Sequence, residues 1–356
     1  MTTNTPTVAS LGTGMMGQLA HLANYARLRD AGACQIAGVT DLNRPLAEAV
    51  ADAYRVPRVY DSDEALLSDP GVDGVACIQQ WPNNYPLVKM VLEAGKSVIT
   101  EKPMVGRVDE AEDLVALAQK QGVHYAVGFM KRYDPGVELA KGLIDEAHES
   151  GSLGSLLAVD SLCNGGDWLH NVEAPIRVTP PSSLPGPAAA TYPDACRTQE
   201  SRVAYDWLLN IFSHTVNLCH FLIGQEMTPA SAHFRQSKAF SSSLYADDVL
   251  VTIRGAMTRA HEWREETVLV FERGEIRIAT PTPMNRQRVA EVSVRSATGD
   301  TPTTVFHHAP VGWAFYRQAE GFVGALAGGE PPRASAAEAV KDVRVMQRII
   351  EIAEIA

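Results

Sequence analysis

Thr7-Val-Ala-Ser-Leu11 runs into Gly12-Thr-Gly14-Met15-Met16-Gly17 and then into a helix-like run from Gln18 to Arg29. A strand, a glycine turn and a helix start in that order are what a dinucleotide-binding fold requires. Gly12 permits the tight turn, Gly14 lets the backbone approach a pyrophosphate, and Gly17 lets the helix pack closely on the strand. The backbone N–H groups of Met15 and Met16 then face the phosphates. The next strand, Gln35-Ile-Ala-Gly-Val-Thr40, ends on Asp41, at the distance where an acidic side chain accepts hydrogen bonds from an adenine ribose. Asp41 therefore argues for NAD, since its charge repels a 2′-phosphate. Arg44 lies close enough to keep NADP use open. A second role for Asp41, capping the helix that contains Leu46 to Tyr54, is compatible with the first.

The alternation continues through the first third of the chain. Val72 to Ile78 reads as a strand, Tyr85 to Glu93 as a helix closed by Gly95, and Ser97 to Thr100 as a strand. Asp109 to Lys120 reads as a helix ending at Gly122, and His124 to Gly128 as the last strand. This is a doubly wound parallel α/β sheet, assigned to a Rossmann domain over residues 1–130. Beyond it, Leu156 to Leu162, Ala230 to Arg235, Val249 to Arg254, Thr267 to Phe271, Glu275 to Ile278, Val289 to Val294 and Thr303 to His307 resemble strands. Turns such as Arg273-Gly274 join several of them in an antiparallel meander. Residues 131–356 are assigned to a second domain that carries this meander. Two helices, Trp313 to Ala327 and Ser335 to Ala353, close the chain, and the last is free to pack back on either domain. Glu173 to Gln199 carries Pro175, Pro180, Pro181, Pro185, Pro187 and Pro193 with little periodicity. Its length marks it as a functional loop or ornament, and if ordered as a lid over substrate or an arm to a partner subunit.

A chain of 356 residues with 46% hydrophobic content buries a large core, and its length fits two domains. A formal charge of −11 supplies no basic patch for nucleic acid. The opening Met1-Thr-Thr-Asn-Thr-Pro lacks the regions of a secretory signal. The apolar stretch Trp207 to Gly224 is broken by Asn210, His214, Asn217 and His220, so no membrane segment is expected. Cys34, Cys77, Cys163, Cys196 and Cys219 are scattered, without metal-ligand pairing. Their odd number fits free thiols in a reducing cytoplasm.

Two places carry chemistry. Glu101-Lys102-Pro103 follows the strand Ser97 to Thr100, at the carboxyl edge where ligands of open α/β sheets bind. Lys102 there can hold a substrate oxygen and stabilise the charge that develops during hydride transfer. In the helix Asp206 to Leu218, Asn210, His214 and Asn217 recur at four- and three-residue spacing and share one face. Burying such a stripe without partners is costly, so it faces a polar cavity or a satisfied network, with His214 as the proton donor or acceptor. Asn164, Asp167 and Trp168, placed at the end of the second domain's first strand, are further candidates to orient substrate hydroxyls.

The chain resembles the glucose-fructose oxidoreductase, inositol dehydrogenase and rhizopine-catabolism (Gfo/Idh/MocA) family over nearly its whole length. The resemblance rests on Gly12 to Gly17, Trp81-Pro82-Asn83, Glu101-Lys102-Pro103, Gly128-Phe-Met-Lys-Arg132-Tyr-Asp-Pro135 and the Asn210 to Gly224 helix. It implies a Rossmann domain followed, over residues 131–356, by an α/β domain with an open, mostly antiparallel sheet, and an NAD-dependent dehydrogenase acting on a sugar, cyclitol or related polyol, commonly as a homodimer or homotetramer. In that pattern Lys102 and His214 flank the substrate carbon, Pro82, Asn83 and Glu101 lie near the cofactor, and Arg132 lies near the substrate. Two positions depart from it. Asn210 and Asn217 stand where many relatives carry aspartates four residues before and three residues after the histidine. An amide orients a hydroxyl but takes no proton, so acid–base work falls to His214, Lys102 or water. The alternatives are a redox-neutral enzyme that retains NAD for elimination, glycoside cleavage or sugar-to-sugar oxidoreduction, and a noncatalytic sugar- or NAD-sensing regulator. Both Lys102 and His214 are present, which weighs against the regulator.

Overall fold

A computed structural model describes residues 5–170, 172–181, 184, 186–236, 238–260, 263–297 and 301–356. The first four residues and Pro185, discussed above, lie outside the described residues. The chain divides into two compact units. One comprises Met1–Phe129, Glu173–Thr191 and Phe315–Val343; the other comprises Met130–Val172, Tyr192–Ala314 and Arg344–Ala356. The proline-rich segment is thus divided, and residues 173–191 belong with the N-terminal unit.

The first unit is built on five parallel strands: β1 (Thr7–Leu11), β2 (Gln35–Thr40), β3 (Gly74–Cys77), β4 (Ser97–Thr100) and β5 (Tyr125–Val127), in the spatial order β2-β1-β3-β4-β5. Strand order reverses beside β1, so the loops after β1 and β3 diverge and leave a crevice at the carboxyl edge. β3 and β4 are buried at every residue, as expected of parallel strands covered on both faces. Around the sheet run α1 (Ala23–Asp30), α2 (Arg44–Ala53), α3 (Asp63–Leu67), α4 (Asn84–Glu93) and α5 (Val108–Gln121). Asn43 caps α2 by accepting from Leu46 N, Ser62 caps α3, and Gly122 ends α5 in the left-handed region at φ +66°. The helix Ala314–Leu326 packs against this sheet. A Cβ on Gly74 would lie 2.7 Å from Leu326 Cδ1, so only glycine admits the approach.

The second unit holds a nine-stranded sheet. Its strands are β6 (Leu156–Gly165), β7 (Thr228–Arg235), β8 (Ala239–Ala246), β9 (Val249–Met257), β10 (Arg264–Phe271), β11 (Gly274–Thr280), β12 (Glu291–Ser296), β13 (Thr303–His307) and β14 (Ala353–Ile355). They lie in the order β13-β12-β11-β10-β6-β9-β8-β7-β14. All neighbours are antiparallel except β6 with β9 and β7 with β14. One face is covered by α6 (Pro135–Ser150), capped by Asp134, and by α7 (Gln199–Trp207) and α8 (Ser213–Ile223), joined through a π-helical turn at Leu208–Phe212. Phe212, Phe234 and Phe240 stack with centroids 4.7 Å apart along the chain of contacts, and Trp207 meets Phe212 edge-on at 5.1 Å. At Gly255 in β9 a Cβ would sit 2.8 Å from the Phe212 ring, so the glycine lets the helix lie flat on the sheet. Among the described residues no helix is long and apolar enough to cross a membrane.

Candidate functional site

The glycine turn has the geometry its spacing demands. Gly12 sits at φ +102°, and a Cβ there would lie 2.3 Å from Ile78 O. A Cβ on Gly17 would lie 2.6 Å from Gly12 O, so the helix start and the turn exclude any side chain between them. Gly14 is exposed, and a Cβ on it would meet nothing within 4 Å. The two outer glycines are fixed by packing, whereas the middle one opens onto free space. The helix begins at Met15, with Gln18 N donating to Gly14 O, which leaves the Met15 and Met16 N–H groups in the first turn without helical partners. This cradle fits a pyrophosphate.

Asp41 ties the two nucleotide loops together. One carboxylate oxygen accepts from Thr13 N (2.7 Å) and Thr13 Oγ1 (2.8 Å), and the other accepts from Asn43 N (2.8 Å). A carboxylate has about four acceptor positions, so room for a ribose hydroxyl remains. Arg44 is engaged elsewhere, with Nε 2.9 Å from Glu48 and Nη1 2.7 Å from Asp61.

At the end of β4, Glu101 is buried and its Oε1 lies 2.9 Å from His21 Nε2. His21 comes from a π-helical turn at Gly17–Leu22, and its ring meets Phe315 edge-on. Lys102 follows, half-buried, in a loop held by Asn84, whose buried amide donates to Pro103 O (2.9 Å) and Met104 O (3.2 Å). Pro82 and Asn83 form a 3₁₀ turn after β3. Neither His21 nor Asn84 was singled out from sequence. For His21 the available signal was a polar residue inside an otherwise apolar helical run, the same signal that marks Asn217; Asn84, the first residue of α4 after Pro82-Asn83, carries no such signal.

The proline-rich residues of this unit cross the carboxyl edge. Gln18 donates Nε2 to Thr13 O (2.8 Å) and Ile176 O (3.0 Å), and its Oε1 accepts from Ile176 N (2.8 Å). Asn43 Nδ2 donates to Val178 O (3.0 Å), Ala188 N donates to Asn83 Oδ1 (2.7 Å), and Thr191 donates to Glu110 (2.5 Å). Glu110 is pushed up from its ordinary range, mainly by burial and against the pull of the Thr191 hydrogen bond.

In the second unit, the stripe runs from exposed Asn210 through half-buried His214 to buried Asn217. Asn217 Oδ1 accepts from Arg132 Nε at 2.9 Å, and the Arg132 guanidinium lies 5.3 Å from the Phe221 ring centroid. The structure thus brings Arg132 and Asn217 together in the interior. One turn before Asn210, Asp206 accepts from Tyr192 Oη at 3.0 and 3.1 Å; burial raises the Asp206 carboxyl, and burial with the Asp206 contact pushes Tyr192 up to about 12. Asn164 Oδ1 accepts from Ala256 N across the β6–β9 pair. Asp167 is exposed and accepts from Leu169 N within its own turn, with Trp168 between them.

Residues 7–129 match the oxidoreductase family described as having an NAD-binding Rossmann fold. The trans-1,2-dihydrobenzene-1,2-diol dehydrogenase of Mus musculus is 35% identical over 116 residues, 33% of each chain. The inositol 2-dehydrogenase/D-chiro-inositol 3-dehydrogenase of Lacticaseibacillus casei is 34% identical over 155 residues, 43% of this chain and 42% of that one. The match therefore spans a third to about two fifths of these relatives' own length. A solved structure of KijD10, a 3-ketoreductase from Actinomadura kijaniata in complex with NADP, superposes over 99% of both chains with a TM-score of 0.74 at 16% identity. That likeness extends the shared fold to both units.

Proposed function

We propose a function from one premise: the chain belongs to the Gfo/Idh/MocA oxidoreductase family, whose N-terminal domain is an NAD-binding Rossmann fold. The protein is a dehydrogenase that interconverts a secondary alcohol and a ketone on a sugar, cyclitol or related polyol, with NAD or NADP as cofactor. The observation that carries this reading is Lys102 at the carboxyl end of β4, in a loop anchored by the amide of Asn84 and beside a Glu101 held by His21. The glycine cradle and Asp41 hold the dinucleotide, with Pro82 and Asn83 beside it. The bound dinucleotide supplies the hydride chemistry. Lys102 steadies the oxygen of the reacting carbon as negative charge develops on it. His214 takes the hydroxyl proton in the oxidative direction and returns it in the other. Asn210, with Arg132 and Asn217 behind it, orients the remaining hydroxyls; Asn164, Asp167 and Trp168 border the same end of β6. The five buried cysteines, none in a disulfide, fit work in the cytoplasm, and the family resemblance supports a homodimer or homotetramer.

The purified protein is mixed with NAD or NADP and a panel of inositols, hexoses, aminosugars and sugar phosphates, with absorbance of reduced cofactor and product masses recorded. Reduced cofactor appearing with an oxidised product supports the dehydrogenase. Cofactor binding without product from any compound overturns it in favour of a sensor. A second reading, a redox-neutral enzyme that keeps its cofactor, is favoured by Ile176, Val178, Ala188 and Thr191, which are bonded across the nucleotide edge. Product formed without net reduced cofactor would select it.

A further inference from the structure

The attachments of the proline-rich segment follow the sheet in a telling way. Ile176 is held by Gln18, the residue after the glycine turn that follows β1. Val178 is held by Asn43, two residues past Asp41 in the loop after β2. Ala188 is held by Asn83 in the loop after β3, and Thr191 by Glu110 at the start of α5, the helix that follows β4. The chain that follows each of β1, β2, β3 and β4 therefore engages this one segment through a side chain: Gln18, Asn43, Asn83 and Glu110. Ile176 also packs against the apolar core of the unit. Pro175 on one side and Pro180-Pro181 on the other restrict the backbone between them, so little entropy is lost in holding it there.

Between the first two attachments stands Arg177. It is exposed, and it makes no hydrogen bond or ion pair among the described residues. Its neighbours on both sides are bonded to the loops that, in such sheets, receive the pyrophosphate and the adenine ribose. Arg44, the cation nearest Asp41 in sequence, is already paired with Glu48 and Asp61. An arginine on a fixed backbone, with its fork of donors uncommitted, suits a phosphate group.

We propose that the described residues between Ile176 and Ala188 form the outer wall of the dinucleotide site and that Arg177 binds a phosphate group of the cofactor. The inference rests on the dinucleotide binding stated under Proposed function. The phosphate is the pyrophosphate, common to both cofactors, or the 2′-phosphate of NADP, and one experiment separates these sources. Arg177→Gln, an exposed change that leaves the fold intact, is titrated with NADH and with NADPH by nicotinamide fluorescence. Loss of a charge-assisted hydrogen bond weakens binding about tenfold or more. Weakening of both cofactors identifies the pyrophosphate, and weakening of NADPH alone identifies the 2′-phosphate. Equal affinity for both, within twofold of the parent, overturns the role of Arg177. The wall is tested by Asn43→Ser, which keeps a capping hydroxyl for α2 but is too short to reach Val178 O. Release of bound NADH, followed by displacement with excess NAD, then speeds up about fivefold, the loss of one hydrogen bond. An unchanged release rate overturns the wall. If the parent protein binds neither NADH nor NADPH, the dinucleotide reading itself fails; if the parent binds and both variants match it, only this inference fails.

Discussion

The glycine cradle of the N-terminal unit and the polar stripe of the second unit achieve order by opposite means. At Gly12 and Gly17 the constraint is the absence of atoms, because a Cβ would collide with Ile78 O or Gly12 O. At Arg132 and Asn217 the constraint is the presence of partners, a guanidinium and an amide taken out of water together and held at 2.9 Å. The first kind of site tolerates no addition and the second tolerates no removal. Substrate hydroxyls need directed donors and acceptors, whereas a pyrophosphate needs bare backbone, so each unit uses the means that suits the ligand proposed for it.

The sharpest way to break this contrast is Lys102→Ala, which removes a functional group from the otherwise sterically defined unit. Turnover with the substrate found by the panel should fall about a thousandfold while NADH affinity stays within twofold. Retained turnover would take Lys102 out of the mechanism. Next is the pair Gly12→Ala and Gly14→Ala. The first should destabilise the protein by about 3 kcal/mol in urea denaturation, since both the contact and the positive φ are strained. The second has room, so it should leave stability within about 0.5 kcal/mol and weaken NADH about tenfold by obstructing the cradle. Equal effects of the two on stability would refute the division between packed and open glycines. Asn217→Leu tests the other unit and should cost about 2 kcal/mol, because Arg132 Nε loses its acceptor in the interior. No measurable loss for Asn217→Leu in the same denaturation assay would show that the pair is incidental.

The smallest effect concerns pH. Asp63 accepts from Thr40 Oγ1 at 3.1 Å, yet burial raises its carboxyl above the ordinary aspartate range, and neighbouring Glu64 and Asp41 add to the shift. The folded state therefore holds this proton more tightly than the unfolded state. The contribution of Asp63 to stability falls as pH rises from the usual aspartate value through the raised one, and is level above it. Asp63→Asn should flatten that decline, with a gain of under about 1 kcal/mol at pH 7 and none once both states are protonated. Parallel stability–pH curves for parent and variant would show that the carboxyl is not the cause.

Local pattern made most of the first unit legible. β1, β2 and β4 have the bounds read from their apolar runs, and Gly122 ends α5 where it was placed. In the second unit β8 went unread because Ser241, Ser242 and Ser243 interrupt the apolar alternation. Only the neighbouring strands β7 and β9 reveal Phe240 and Leu244 as its buried face. α6 was not singled out either, although Asp134-Pro135 is a cap followed by proline at the first helical position. The seat of the proline-rich segment depends on Gln18, Asn43 and Asn83, all more than 100 residues away in sequence. No periodicity records such contacts. Lys102, His214 and the glycines stood out because each breaks a local pattern. The pairing of Arg132 with Asn217, 85 residues apart, is a tertiary fact.

The five cysteines give the two units separate clocks. All are buried and none is in a disulfide, and burial pushes the thiols of Cys34 and Cys196 up to about 11 and that of Cys77 up to about 12. Cys34, Cys77 and Cys196 therefore do not react as thiolates while their surroundings stay closed. Slow labelling under native conditions therefore counts local openings, with Cys34 and Cys77 reporting on the nucleotide unit and Cys163, Cys196 and Cys219 on the other. Mass spectrometry of single-cysteine adducts over time would then give the opening free energy of each unit without denaturant, and added dinucleotide should slow the first clock more than the second.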